Sequence, residues 1–106
     1  MTTVFEELGD QYGAETLAPD NATGITKSVR LPTSGLYAGR MAKAALIVVE
    51  TNSIRFRMDG TDPTATTGPI ITAGQNYVVK GRGNVKNFKC IDTSAGVSSV
   101  KVLTFF

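Results

Sequence analysis

From Ile25 to Phe106 the chain is a succession of short β-branched and aromatic runs, separated by glycine turns at roughly ten-residue spacing. Such a pattern predicts an all-β domain, a small antiparallel β-sandwich or barrel. The clearest strand is "SIRFRM", where Ile54, Phe56 and Met58 alternate with Arg55 and Arg57 at period two. "AKAALIVVET" is apolar on both faces, as expected of a central strand covered on both sides, and Ile47, Val48 and Val49 favour strand over helix. "ITKSVRL" reads as a strand with Ile25, Val29 and Leu31 on one face, ended by Pro32. The turn-rich "LPTSGLYAGR" has Leu36 and Tyr37 as its local anchor, and Asn52-Ser53 is a short turn. Further strands are expected at "PIIT", "NYVVK", "NVKNFKCID" and "SSVKVLTFF", with turns at Ala73-Gly74, Gly81–Gly83 and Ser94–Gly96.

Two of these strands raise questions of their own. "NVKNFKCI" does not alternate cleanly, which implies either cover on both faces or a bulge that shifts the phase. In "VKVLTFF", Val100, Val102, Thr104 and Phe106 form one row while Leu103 and Phe105 face the other way. Either a neighbouring subunit or the protein's own loops must cover that second row.

At 106 residues the chain has the length of one domain. With 42% apolar and 19% charged residues it is expected to be globular, and no apolar run approaches the roughly 18 residues of a membrane span. "MTTVFEELGD" is acidic and lacks the basic and apolar regions of a signal peptide, so no membrane crossing is expected. Histidine is absent, which excludes Ser-His-Asp and Cys-His catalysis and histidine-based metal sites. The lone Cys90 forms no internal disulfide and reads as a buried apolar residue. No cofactor is expected.

The net charge of +2 conceals a division. Residues 1–24 hold Glu6, Glu7, Asp10, Glu15 and Asp20 and no Lys or Arg. All 11 basic residues fall in 25–106, against Glu50, Asp59, Asp62 and Asp92. The first segment also lacks a sustained period, although Thr3-x-x-Glu6 fits a capping box for a short helix at Thr3–Leu8 stopped by Gly9. It reads as an extended acidic arm, with 25–106 as the β-domain. Its carboxylates would guide docking onto a neighbouring subunit or a lattice protein, with Phe5, Leu8 and Tyr12 as apolar anchors.

"RFRMDGTDPTATTG" is the least ordinary stretch. Asp59-Gly60 favours a turn with positive φ, Asp62-Pro63 fixes a second bend, and Gly68 permits re-entry into the next strand. Thr61, Thr64, Thr66 and Thr67 can satisfy local backbone groups, so the loop needs no ligand to explain it. A Ca²⁺ site begun by Asp59 and Asp62 would need further carboxylates at a useful spacing. A glycosidase-like pair would have to come from Glu50, Asp59, Asp62 and Asp92. "KGRGNVKNFK", together with Arg55 and Arg57, could form a positive face for a protein partner or nucleic acid, but it offers no exposed stacking aromatic.

"IRFRMDGTDPTATTG" at 54–68, "TAGQNYVV" at 72–79, "VKNFKCI" at 85–91 and "VKVLTFF" at 100–106 together resemble small structural proteins of bacteriophages and prophages. The resemblance covers Ala45 to Phe106. It implies a non-enzymatic virion component with a β-sandwich or jelly-roll-like fold. On that basis the expected function is a head decoration or cement protein, assembled in the host cytoplasm. It would self-assemble, with a trimer favoured, and bind the major capsid protein or another virion protein. Assembly contacts are expected at Phe5, Leu8, Tyr12, Arg55, Arg57, Leu103, Phe105 and Phe106, and a purely structural turn at Asp59, Gly60, Asp62, Pro63 and Gly68. A tail, neck or baseplate component is the alternative within that class, and a basic nucleic-acid-binding domain is the alternative outside it. A carbohydrate-binding module is disfavoured by the lack of tryptophan.

Overall fold

The computed structural model describes residues 9–19, 21–93 and 98–106. In chain order its elements are β1 (Gln11–Leu17), β2 (Thr23–Gly24), α1 (Lys27–Arg30), β3 (Ala44–Thr51), β4 (Ile54–Arg57), β5 (Ile70–Ile71), β6 (Asn76–Lys80), α2 (Arg82–Asn87), β7 (Lys89–Asp92) and β8 (Ser99–Phe105). They form two four-stranded sheets, ordered β1-β8-β3-β6 and β2-β7-β4-β5, in which every pairing is antiparallel. The chain changes sheet at every connection except β4 to β5. That order is the eight-stranded jelly roll.

The core lies between the sheets. Ala45, Ile47 and Val49 of β3 and Val100 and Val102 of β8 meet Ile54 and Phe56 of β4, Ile71 of β5 and Cys90 of β7. Phe56 stacks on Phe88 at 5.8 Å between centroids and tilts against Tyr77 at 4.8 Å. Burying each such aromatic contributes about 1.5–3 kcal/mol. The alternation read from "SIRFRM" and "VKVLTF" therefore has the expected phase, and β3 is apolar on both faces.

Four expectations need correction. The described part of residues 1–24 belongs to the sandwich rather than to a separate arm. β1 pairs with β8 along its length, β2 pairs with β7, and Leu17 is buried. "QYGAETL" carries little strand signal because its ladder bonds come from the backbone, which any sequence supplies. Gly13 permits the close approach: a Cβ there would stand 2.3 Å from Thr104 Oγ1 and 2.8 Å from the Val29 carbonyl. The helix expected at Thr3–Leu8 and the turn at Ser94–Gly96 lie outside the described residues.

"ITKSVRL" is not a strand but one helical turn. Val29 N and Arg30 N both donate to the Thr26 carbonyl, at 2.9 and 3.1 Å. Opposite, the Glu15 carboxylate accepts from Thr26 N at 2.7 Å and Thr26 Oγ1 at 2.6 Å, tying α1 to β1. In the loop that follows, Tyr37 is buried as an anchor, but Leu36 is 78% exposed.

"NVKNFKCID" divides into α2 and β7. Val85 reaches the core from α2 and Phe88 from the extended residue that ends it, and only the remainder alternates. The broken phase was thus a change of element, not a bulge.

Candidate functional site

The loop from Met58 to Pro69 is held by bonds among its own residues and by cations of the strands beneath it. Arg55 Nε donates to the Ala65 carbonyl at 3.1 Å and its Nη1 to the Gly68 carbonyl at 2.6 Å. Arg57 pairs with Asp59, whose Oδ1 also accepts from Thr61 N and Oγ1. Lys89 of β7 reaches Asp62 at 2.8 Å. Thr64 and Thr67 close the tip through a backbone bridge and a 2.6 Å hydroxyl contact. Gly60 and Gly68 both have positive φ, at 88° and 104°. Arg55, Arg57 and Lys89 face away from the core on the second sheet, so these three cations fasten the loop over its outer side.

These partners define what the loop can do. Asp59 is held well below the usual carboxylate range by hydrogen bonds from Arg57 and Thr61. Both aspartates that might have begun a Ca²⁺ site are thus joined to cations. Among the described residues, no group of three or more His, Cys, Asp or Glu could hold a metal. Glu50 accepts from Ser99 Oγ. Cys90 is buried, and desolvation followed by the nearby Asp92 charge pushes its thiol up to about 12.

The residues expected to form an assembly interface fall in separate places. Arg55 and Arg57 belong to the loop. Tyr12 and Phe106 join Tyr37 in an aromatic cluster where β1 and β8 meet the 32–40 loop. Tyr37 stacks on Phe106 at 4.9 Å, and Tyr12 sets its edge against both rings. The Tyr37 hydroxyl donates to Asp10 Oδ2 at 2.6 Å, which raises its pKa. Phe5 and Leu8 lie outside the described residues.

Leu103 and Phe105 do share a face, on the outer side of the β1-β8-β3-β6 sheet. Register places Ala14, Leu103, Leu46 and Val78 in one row across all four strands. Phe105 and Ala44 lie in the neighbouring row with Lys80, and Lys101 and Val48 on the other side. Ala44, Leu46 and Phe105 are buried, while Val48, Val78 and Leu103 are half-buried around them. A second apolar layer thus lies on the side of the sheet away from the core.

Sequence reading missed two features. A cleft of about 670 Å³ lies between α1 and the 32–39 loop, with Leu31 and Pro32 among its apolar lining and Lys27 beside them. Among the described residues, Asp92 Oδ1 and Ser98 Oγ are buried and have no hydrogen-bond partner. The first depends on α1, which the strand reading concealed. Neither polar residue has a neighbour in sequence that would announce its burial.

No family model, curated protein or solved structure matched the chain in comparison.

Proposed function

We propose that the chain is a non-enzymatic structural protein of a bacteriophage particle, a head decoration or cement protein that bridges subunits of the shell. The observation that carries this reading is the apolar layer of Ala44, Leu46, Val48, Val78, Leu103 and Phe105 outside the core. An antiparallel sandwich standing alone in water commonly keeps its outer faces polar. A second buried layer of this kind marks a side of the sandwich suited to packing against further protein, and many modest contacts on a lattice act multivalently. The jelly-roll order supports the reading by analogy of fold alone, since viral capsid domains use it and so do unrelated proteins.

In this reading the protein associates with itself, as a trimer, and with the major capsid protein. A tail, neck or baseplate position is the alternative. The nucleic-acid reading loses two of its cations, because Arg55 and Arg57 serve the loop.

The test is to purify phage particles from cells carrying the gene and locate the chain with a specific antibody in electron micrographs. Label on heads is expected. Label on tails would transfer the reading to a tail component, and particles without the chain would overturn it.

A further inference from the structure

We propose that the chain has a further binding surface, a cationic end of the sandwich that takes the phosphate backbone of duplex nucleic acid without reading its sequence. This goes beyond the shell reading and does not rest on it, since it uses other residues.

The fold gathers Arg40, Lys43, Arg82 and Lys86 from two separate segments. Gly81 N donates to the Lys43 carbonyl at 2.8 Å, which sets the start of β3 beside the start of α2. Arg82 and Lys86 are four apart on α2, so they share one face of it, and both are exposed. Arg40 enters from the loop before β3, its guanidinium 5.6 Å from the centre of the Tyr37 ring. Tyr37 in turn stacks on Phe106, and Lys43 N donates to the neighbouring Phe105 carbonyl at 2.9 Å. All four cations therefore stand where β3 begins and β6 and β8 finish.

No carboxylate of the described residues balances them. The ion pairs among those residues are Arg57 with Asp59 and Lys89 with Asp62, both in the loop already described. Glu15 accepts from Thr26, and Asp10 accepts from the Tyr37 hydroxyl. Glu50 lies at the opposite end of β3, bonded to Ser99, and Asp92 is buried. Cations grouped without internal counter-charge draw anions from outside the molecule.

The make-up of the surface selects the partner. A protein interface centres on apolar and aromatic side chains and is depleted in lysine. α2 turns no such side chain outward: Val85 is buried, while Arg82, Gly83, Asn84 and Lys86 are exposed. A Cβ on Gly83 would meet nothing within 4 Å, so the backbone there is open to a close neighbour. Arginine, lysine, amide side chains and backbone N–H groups are the donors that contact phosphates. A duplex carries one charge per about 1.7 Å of axis, so such a cluster meets phosphates in any register. The cluster exposes no aromatic ring, which leaves single strands nothing to stack on.

The experiment measures binding of the full chain to two fluorescent DNA duplexes of unrelated sequence, by anisotropy over a range of salt. Equal affinity for the two is expected. Log affinity should fall against log salt with a slope of about −3 to −4, since each phosphate contact contributes about −0.9. Arg82→Gln and Lys86→Gln should each flatten that slope by about 1. Lys101→Gln removes the same charge from β8 opposite Val48, away from the cluster, and should leave the slope unchanged. The triple substitution Lys43→Gln, Arg82→Gln and Lys86→Gln should weaken binding about tenfold or more at low salt. Circular dichroism confirms that each variant is folded. No binding at low salt, or a triple variant that binds as tightly as the unaltered chain, would overturn the proposal. So would an equal loss in Lys101→Gln, or marked preference for one duplex. Displacement by a glutamate polymer as effective as by unlabelled duplex, at equal charge concentration, would also overturn it and assign the surface to an acidic protein.

Discussion

Arg55 holds the Gly68 carbonyl at 2.6 Å across thirteen residues of chain, joining the exit of one strand to the entry of the next. With Arg57 on Asp59 and Lys89 on Asp62, it turns a glycine- and threonine-rich loop into a fixed cover for one sheet. Cations that look in sequence like a binding face are used within the molecule.

Replacing Arg55 with Met keeps the apolar stem and removes both loop bonds. A loss of about 1–2 kcal/mol is expected, since the bonds are charge-assisted but partly exposed. Arg55→Lys should recover only part of it, because an ammonium cannot present the guanidinium fork. Urea denaturation of the three proteins, compared at equal slope, measures this.

Gly60 and Gly68 separate strain from space. Both have positive φ, but a Cβ at Gly68 would stand 2.8 Å from the Phe56 carbonyl, whereas one at Gly60 would meet nothing within 4 Å. Gly60→Ala should cost about 1 kcal/mol, from backbone strain alone. Gly68→Ala should cost clearly more, because the β4 backbone must move as well. The two shifts in denaturation midpoint give the comparison directly.

The acid limb of stability should contain a contribution from Asp59. Its folded-state pKa lies below the unfolded value of about 3.9, so its contribution is complete above that pH. It is lost as pH falls through that value toward the folded one. In Asp59→Asn the stability profile should therefore be flatter below about pH 5, and added salt should shrink the difference between the two proteins. A profile parallel to that of the unaltered protein would refute the assignment.

Cys90 reports on opening of the core. With its thiol pushed up to about 12 in a buried site, it should not react with a disulfide reagent at mildly alkaline pH while the protein is folded. Labelling should occur only as fast as the core opens, and should become rapid in denaturant. Quick labelling of the native protein would show that the sheets separate at β7 more readily than the packing implies.

Much of the fold was legible because side chains in strands alternate with period two. Ile54 and Phe56, Val100 and Val102, and the two apolar faces of β3 announce which sides are buried, and Asp59, Gly60 and Gly68 announce the turn between β4 and β5. Alternation is a local property, so it survives in sequence. α1 was misread because its few apolar residues suit a strand or a helical turn, and the bonds from Thr26 to Glu15 that favour the turn come from another strand.

Composition and alternation by themselves determined an all-β domain, the faces of its main strands and a loop that satisfies its own backbone. Only the tertiary structure decided that Gln11–Leu17 is a strand, that the sheets run in jelly-roll order, and that Arg55 and Arg57 bind a loop. It also decided that Leu46, Leu103 and Phe105 meet on one outer face, while Tyr12 and Phe106 pack elsewhere. The physical reason is that pairing between strands runs through the backbone, which is nearly the same for every residue. A side chain's period can state which way it faces but not which strand lies beside it.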